Sequence, residues 1–182
     1  MKAAIFFASG CEEIEGLTVV DVLRRAGMEI TMVSITGEKL VTSSHSVSFM
    51  TDALFEEMDF SDYDALILPG GMPGSNNLYA YTPLIELLKE FYQKGKLVSA
   101  ICAAPFILGQ LGFLEGRNAT CFPGFEDRLT GAEYKDVPVI IDGNVITARG
   151  MGAAIDFALA IVEYASDSVA AEALAKKFMY FR

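Results

Sequence analysis

Three cysteines and a short run of acids carry most of the chemistry this sequence can offer. Cys102 stands in Ala100-Ile101-Cys102-Ala103-Ala104-Pro105, where the apolar run Leu97 to Ile101 gives way to a helical stretch from about Phe106 to Gly112. In an open parallel sheet, active groups collect beyond the carboxyl ends of the strands, where helix N-termini present free backbone N–H groups. A thiol there feels the positive end of the macrodipole, which draws its pKa from about 8.5 to between ~3.5 and ~7.5 and leaves it largely thiolate at neutral pH. Small side chains at Ala103 and Ala104 keep it accessible. Pro105 suits the first turn, because its missing N–H has no intrahelical partner to lose. Position alone leaves a second reading open, that of Cys102 as a small buried hydrophobe. Cys11 and Cys121 lack a helix-opening context and read as hydrophobes of that kind, although Cys11, following Gly10 at another strand end, is also a candidate secondary oxidation site.

The cysteines are odd in number and widely spaced, with no Cys-x-x-Cys pair, so neither a disulfide framework nor a metal site is expected. There is one histidine, His45. Most cysteine hydrolases activate their thiolate with a histidine, so this scarcity narrows the chemistry. Glu15 reads as an acid in the first turn of a helix, stabilised by the dipole. Gly70 and Gly71 end a strand without side chains, which allows close backbone approach to a substrate and equally describes an ordinary Pro-Gly-Gly turn.

The elements that must position these residues alternate. Lys2 to Ala8 is an apolar strand closed by Ser9-Gly10; Ile14 to Ala26 carries a helical stripe of Ile14, Leu17, Val20 and Leu23, ended by Gly27. Glu29 to Ile35 is rich in β-branched residues, and Leu40 to Met50 reads as a hairpin or edge strands. Asp64 to Leu68 is a short continuous apolar strand, Pro83 to Lys94 a helix, and Val137 to Ile141 with Asn144 to Ala148 a hairpin about Asp142-Gly143. Helices over Gly152 to Ala165 and Val169 to Phe178 complete the chain. This order predicts an α/β fold, a doubly wound α/β/α sandwich with a mostly parallel central sheet, as a single domain over residues 1–182.

Composition bounds the partners. The 182 residues are 52% hydrophobic and 21% charged, with a formal net charge of -10. Such a surface repels phosphate backbones and anionic lipid headgroups, so no nucleic acid and no membrane are expected. The apolar N-terminus is too short for a signal peptide and is followed at once by Glu12, Glu13 and Glu15. No apolar stretch reaches the ~18 residues of a membrane span. A soluble, cytoplasmic protein is expected.

The elbow around Cys102 resembles the nucleophile elbow of the ThiJ/PfpI superfamily, especially its DJ-one-like branch. Gly10-Cys11-Glu12-Glu13-Ile14-Glu15 is similar to that branch's G-x-E-E-x-E segment, and Asp21 to Gly27 to the end of its first helix. Leu68-Pro69-Gly70-Gly71 with Asn77-Leu78, and Ile146-Thr147-Ala148-Arg149-Gly150, also fit, so the likeness spans essentially the whole chain in order. The resemblance implies a flavodoxin-like, class I glutamine amidotransferase-like fold and a cofactor-free homodimer. It implies that Glu15 contacts the nucleophile Cys102 as a protonated hydrogen-bond donor, and that the N–H groups of Gly71 and Ala103 form an oxyanion-type pocket beside Gly70. It also places Arg25 and His45 near the subunit interface, where an anion or substrate could be held; by its residue type alone, His45 reads as an exposed polar residue on a strand.

One departure stands out. Many relatives carry a histidine before the proline of the segment matching Ala119-Thr120-Cys121-Phe122-Pro123, and here that place is Phe122. The change removes a general base and disfavours a PfpI-type protease. Two functions remain in front: an enzyme in which Cys102 attacks a small reactive carbonyl, of glyoxalase or deglycase type with Glu15 shuttling the proton, or a redox-responsive, chaperone-like stress protein in which an oxidant converts Cys102 to its sulfinate. Thiazole monophosphate biosynthesis, suggested by the ThiJ name, has no phosphate-binding motif to support it.

Overall fold

The computed structural model describes residues 1–181. Its main sheet has seven strands built from β1 (Lys2–Phe7), β2 (Glu29–Ser34), β5 (Ala53–Leu54), β6 (Ala65–Leu68), β7 (Leu97–Ile101), β10 (Val139–Asp142) and β11 (Val145–Ala148), in the order β10-β11-β7-β6-β1-β2-β5. Every neighbouring pair is parallel except β10 with β11, so the fold is α/β with a mostly parallel sheet. Strands β3 (Leu40–Thr42) and β4 (Ser48–Met50) pair separately as an antiparallel hairpin, and β8 (Asn118–Ala119) with β9 (Glu133–Tyr134) forms a second small ribbon.

Alternation along β1 divides the core. Ala3, Ile5 and Phe7 point to the layer of α1 (Glu13–Arg25), α5 (Ala154–Ala165) and α6 (Ser168–Lys177). Ala4, Phe6 and Ala8 point to the layer of α2 (Gly74–Ala80), α3 (Thr82–Gln93) and α4 (Pro105–Gln110). Burial on both faces explains why β1, β6 and β7 are nearly continuous apolar runs, the buried Ser99 of β7 donating its hydroxyl to the Leu66 carbonyl. Among the described residues no helix is long and apolar enough to cross a membrane.

Several expectations need correction. Ile14 is 48% exposed, whereas Glu15 is buried with Val19 and Val22. Val20 and Leu23 of the expected stripe are buried, but the buried face also takes in Glu15, Gly16, Val19 and Val22, which leaves Ile14 beyond its edge. The helix after Cys102 stops at Gln110, and the turn of the β10–β11 hairpin is Gly143-Asn144, since Asp142 and Val145 already pair. α2 was not anticipated, because Gly74, Ser75 and two asparagines are poor helix formers. Close packing dictates Gly74: a Cβ there would lie 2.5 Å from the backbone nitrogen of Cys11.

Candidate functional site

The topological switch lies between β1 and β6, from which the chain winds outward in both directions, and ligand crevices form beyond the strand ends there. Three strand ends meet at it: Gly10 to Glu12 after β1, Pro69 to Gly71 after β6, and Cys102 after β7. Short backbone bonds knit them. Glu12 N–H donates to the Gly70 carbonyl at 2.9 Å, Gly74 N–H to Gly10 at 3.0 Å, and Cys102 N–H to Ala148 at 2.9 Å.

Cys102 sits on the elbow with φ +66°, a left-handed conformation that costs a residue with a Cβ about 1–2 kcal/mol. The turn lifts the thiol out of β7 to a half-buried position. Glu15 comes to it from the first turn of α1 and is 1% exposed. Its Oε2 accepts the Gly70 N–H at 2.9 Å, while Oε1 is buried and makes no hydrogen bond among the described residues. Gly70 must be glycine in this arrangement: a Cβ would lie 2.5 Å from both Cys102 Cβ and Glu15 Oε2.

The electrostatics reverse the expectation of a thiol acidified by a helix. Burial pushes the Glu15 carboxyl up to about 7, against the opposing pull of its contacts with Cys102 and Gly70 N–H. Burial and then the Glu15 charge push the Cys102 thiol up to about 12, opposed by the N–H groups of Gly71 and Ala103. α4 has six residues and begins at Pro105, so its dipole is short and set back from the sulfur. The two groups form a coupled pair. One proton leaves near neutrality and the second is held strongly. When the remaining proton sits on Glu15, repulsion becomes donation to sulfur, and the two N–H groups stabilise a thiolate.

Glu15, Gly70, Gly71, Cys102 and Ala103 are thus brought together. Phe122 lies beside them: its N–H donates to the Cys102 carbonyl at 2.8 Å, and the residue is 47% exposed. Gly150, not singled out as a site residue, belongs to the same place. A Cβ there would lie 3.2 Å from the Phe122 ring and 4.0 Å from Cys102 Sγ. The parallel pairing of Ala148 with Ile101 puts Gly150 level with the elbow, a signal visible once β11 is placed beside β7.

His45 is an exposed residue of the β3–β4 turn rather than of a strand, and its Nδ1 lies 3.4 Å from carboxylate oxygens of both Glu12 and Glu13. Ser44 N–H ties that turn to the Cys11 carbonyl at 2.9 Å. Burial pulls the Glu13 carboxyl upward, but its own backbone N–H, Ser43 and His45 together hold it below the usual range. One potential ligand atom from each of Glu12, Glu13 and His45 falls within 4.8 Å of the others. Arg25 is not brought to the site. It pairs with Asp21 at 2.6 Å, ten residues and about 15 Å along α1 from Glu15. Cys11 and Cys121 are fully buried, and burial pushes each thiol up to about 12, which removes Cys11 as an accessible oxidation site.

Known proteins resemble the chain along most of its length. The family model described as the DJ-1/PfpI family matches residues 1–164. Protein dj-1beta of Drosophila melanogaster is 36% identical over 164 residues, which cover 89% of this chain and 88% of that one. Protein DJ-1 homolog B of Arabidopsis thaliana is 37% identical over 164 residues, again 89% of this chain, but these make up only 37% of that longer protein. Among solved structures, oxidized Toxoplasma gondii DJ-1 superposes with a TM-score of 0.95 at 32% identity, covering 100% of this chain and 99% of that one.

Proposed function

The chain belongs to the DJ-1/PfpI family, and we propose that it acts, as one domain over residues 1–182, on small reactive carbonyl compounds in a cofactor-free reaction of glyoxalase or deglycase type. The observation that carries this reading is the pairing of a half-buried thiol on a strained elbow with a buried carboxyl whose pKa is about 7. A group that titrates near the working pH is suited to give and take protons in turn.

With a 2-oxoaldehyde, the Cys102 thiolate adds to the aldehyde carbon. A C–S bond forms and the carbonyl oxygen takes the Glu15 proton, giving a hemithioacetal. The Glu15 carboxylate then removes the hydrogen from that carbon and, through an enediol, returns a proton to the neighbouring carbon. The product is a thioester of a 2-hydroxy acid. Water cleaves it, releasing the acid and restoring the thiol, so one water is consumed and no external oxidant or reductant is needed. The N–H groups of Gly71 and Ala103, which face the sulfur, are the donors available for thiolate or oxyanion.

Incubation with methylglyoxal, with D- and L-lactate measured, tests the reading against Cys102→Ser and Glu15→Gln. Loss of about 100-fold or more in both variants is expected; turnover no higher in the wild type than in the variants would sink it.

The second reading is oxidant sensing through the same pair. A sulfinate at Cys102 would accept hydrogen bonds from Glu15 and the two N–H groups, and a relative of known structure is an oxidized form. Mass spectrometry after mild peroxide should then place two added oxygens on Cys102; oxidation confined to Cys11 or Cys121 would exclude it. Proteolysis is disfavoured, because the ring contacts of His45 are with Ser44, Glu12 and Glu13. Three unpaired cysteines suit a reducing, cytoplasmic setting. A homodimer is part of the proposal: Leu40, Val47 and Met50 on the β3–β4 hairpin and Ile14 on α1 are apolar side chains between 45% and 61% exposed, a surface suited to a second copy.

A further inference from the structure

Two features of the site lie outside the reacting pair and differ in character. On one side is an aromatic wall. The Phe122 backbone is fixed to the elbow through its bond to the Cys102 carbonyl, so the residue starts from a set place relative to the sulfur. One part of the ring covers Gly150, and the residue is 47% exposed. An apolar ring held half bare beside a nucleophile carries a desolvation penalty that an apolar ligand would relieve. Gly150 contributes by omission, since any side chain there would press on the ring at 3.2 Å and stand 4.0 Å from Sγ. Its φ is 161°, ordinary extended backbone, so conformation does not demand glycine. Space does.

At the start of α1, beside Gly70, is an acidic rim. Glu12 is held against Gly70 through its N–H, and Glu13 lies next to it with its carboxyl ionised. The Nδ1 of His45 lies 3.4 Å from a carboxylate oxygen of each, so two carboxyl groups stand against one imidazole.

We infer that Phe122 and Gly150 select the substrate, taking carbonyl compounds with an apolar, preferably aromatic, substituent that lies on the Phe122 ring, while Glu12 and Glu13 reject those bearing a carboxylate. This rests on the carbonyl reading and adds the substrate class to it. Phe122 is a specificity residue here, and the absence of a histidine at its position becomes a gain of apolar surface.

Two readouts separate this inference from the reading beneath it. The first is the ratio of kcat/KM for phenylglyoxal to that for methylglyoxal. Stacking contacts of this kind correspond to a ratio about 2- to 10-fold lower in Phe122→Ala and retained in Phe122→Tyr. The second needs no turnover: the alkylation rate of Cys102 by phenacyl bromide, iodoacetamide and iodoacetate, each relative to N-acetylcysteine. The wild type should favour phenacyl bromide and disfavour iodoacetate relative to iodoacetamide. Phe122→Ala should lose the first preference and keep the second. If no aldehyde is turned over but alkylation is selective, the carbonyl reading fails and the selective opening stands. If aldehydes are turned over, but Phe122→Ala leaves the ratio and the alkylation order unchanged, the inference is overturned. Equal relative rates for iodoacetate and iodoacetamide would overturn the role of the rim.

Discussion

Glu15 is a carboxyl group that folding buries to 1% exposure, and its pKa rises from 4.5 to about 7 as a result. Between those values the folded protein holds a proton that the unfolded chain has released. Stability from this group is therefore complete below about pH 4.5 and is lost as the pH climbs through 7. The interval, at about 1.4 kcal/mol per pH unit, amounts to about 3 kcal/mol. Glu15→Gln cannot ionise. Urea unfolding at several pH values should show the variant gaining about 3 kcal/mol on the wild type between pH 4 and pH 8. A difference independent of pH would mean that Glu15 is not the buried acid described. The same residue marks where sequence and structure part company. A glutamate in a first helical turn reads as a dipole-stabilised surface acid, and only the family resemblance pointed to Cys102.

At the scale of elements, three strand ends and two glycines hold the pair in register. Strands β1, β6 and β7 were legible as apolar runs, and so was the elbow, because a strand that passes through Cys-Ala-Ala-Pro must turn sharply into a helix. α2 and the short strands β5, β8 and β9 were not, since tertiary packing rather than local propensity creates them. The thiol's elevated pKa was not legible either: it depends on how deep the sulfur sits and on a carboxyl 87 positions earlier in the chain. Gly70→Ala tests the register. Its Cβ would meet Cys102 Cβ and Glu15 Oε2 at 2.5 Å and the Ile101 carbonyl at 2.9 Å. Overpacking of this kind costs about 1–3 kcal/mol, read by urea unfolding. Gly152→Ala, with nothing within 4 Å of its Cβ and no left-handed φ, should change stability by less than about 0.5 kcal/mol. Equal effects would show that the strand-end packing does not constrain the site.

For the whole molecule, the exposed apolar hairpin is one feature that bears on assembly. Leu40 and Met50 face each other across β3 and β4, 51% and 61% exposed, next to a turn bound to the site through Ser44 and Cys11. If this is the dimer surface, assembly and the acidic rim are mechanically joined. Sedimentation equilibrium should give the mass of two chains for the wild type and of one for the Leu40→Glu, Met50→Glu double variant. A wild type that sediments as one chain would remove the dimer from the account. The net charge of -10 was plain from composition and favours small neutral ligands over polyanions at this scale as well.

Cys102 and Glu15 are expected to titrate as one pair, which the rate of iodoacetamide labelling of Cys102 against pH reads out. The expected profile is a rise centred near pH 7, set by the first proton the pair loses, then a plateau until the second proton leaves near pH 12; in Glu15→Gln the step near 7 disappears. A single rise at the ordinary thiol value of about 8.5, unchanged in Glu15→Gln, would contradict it.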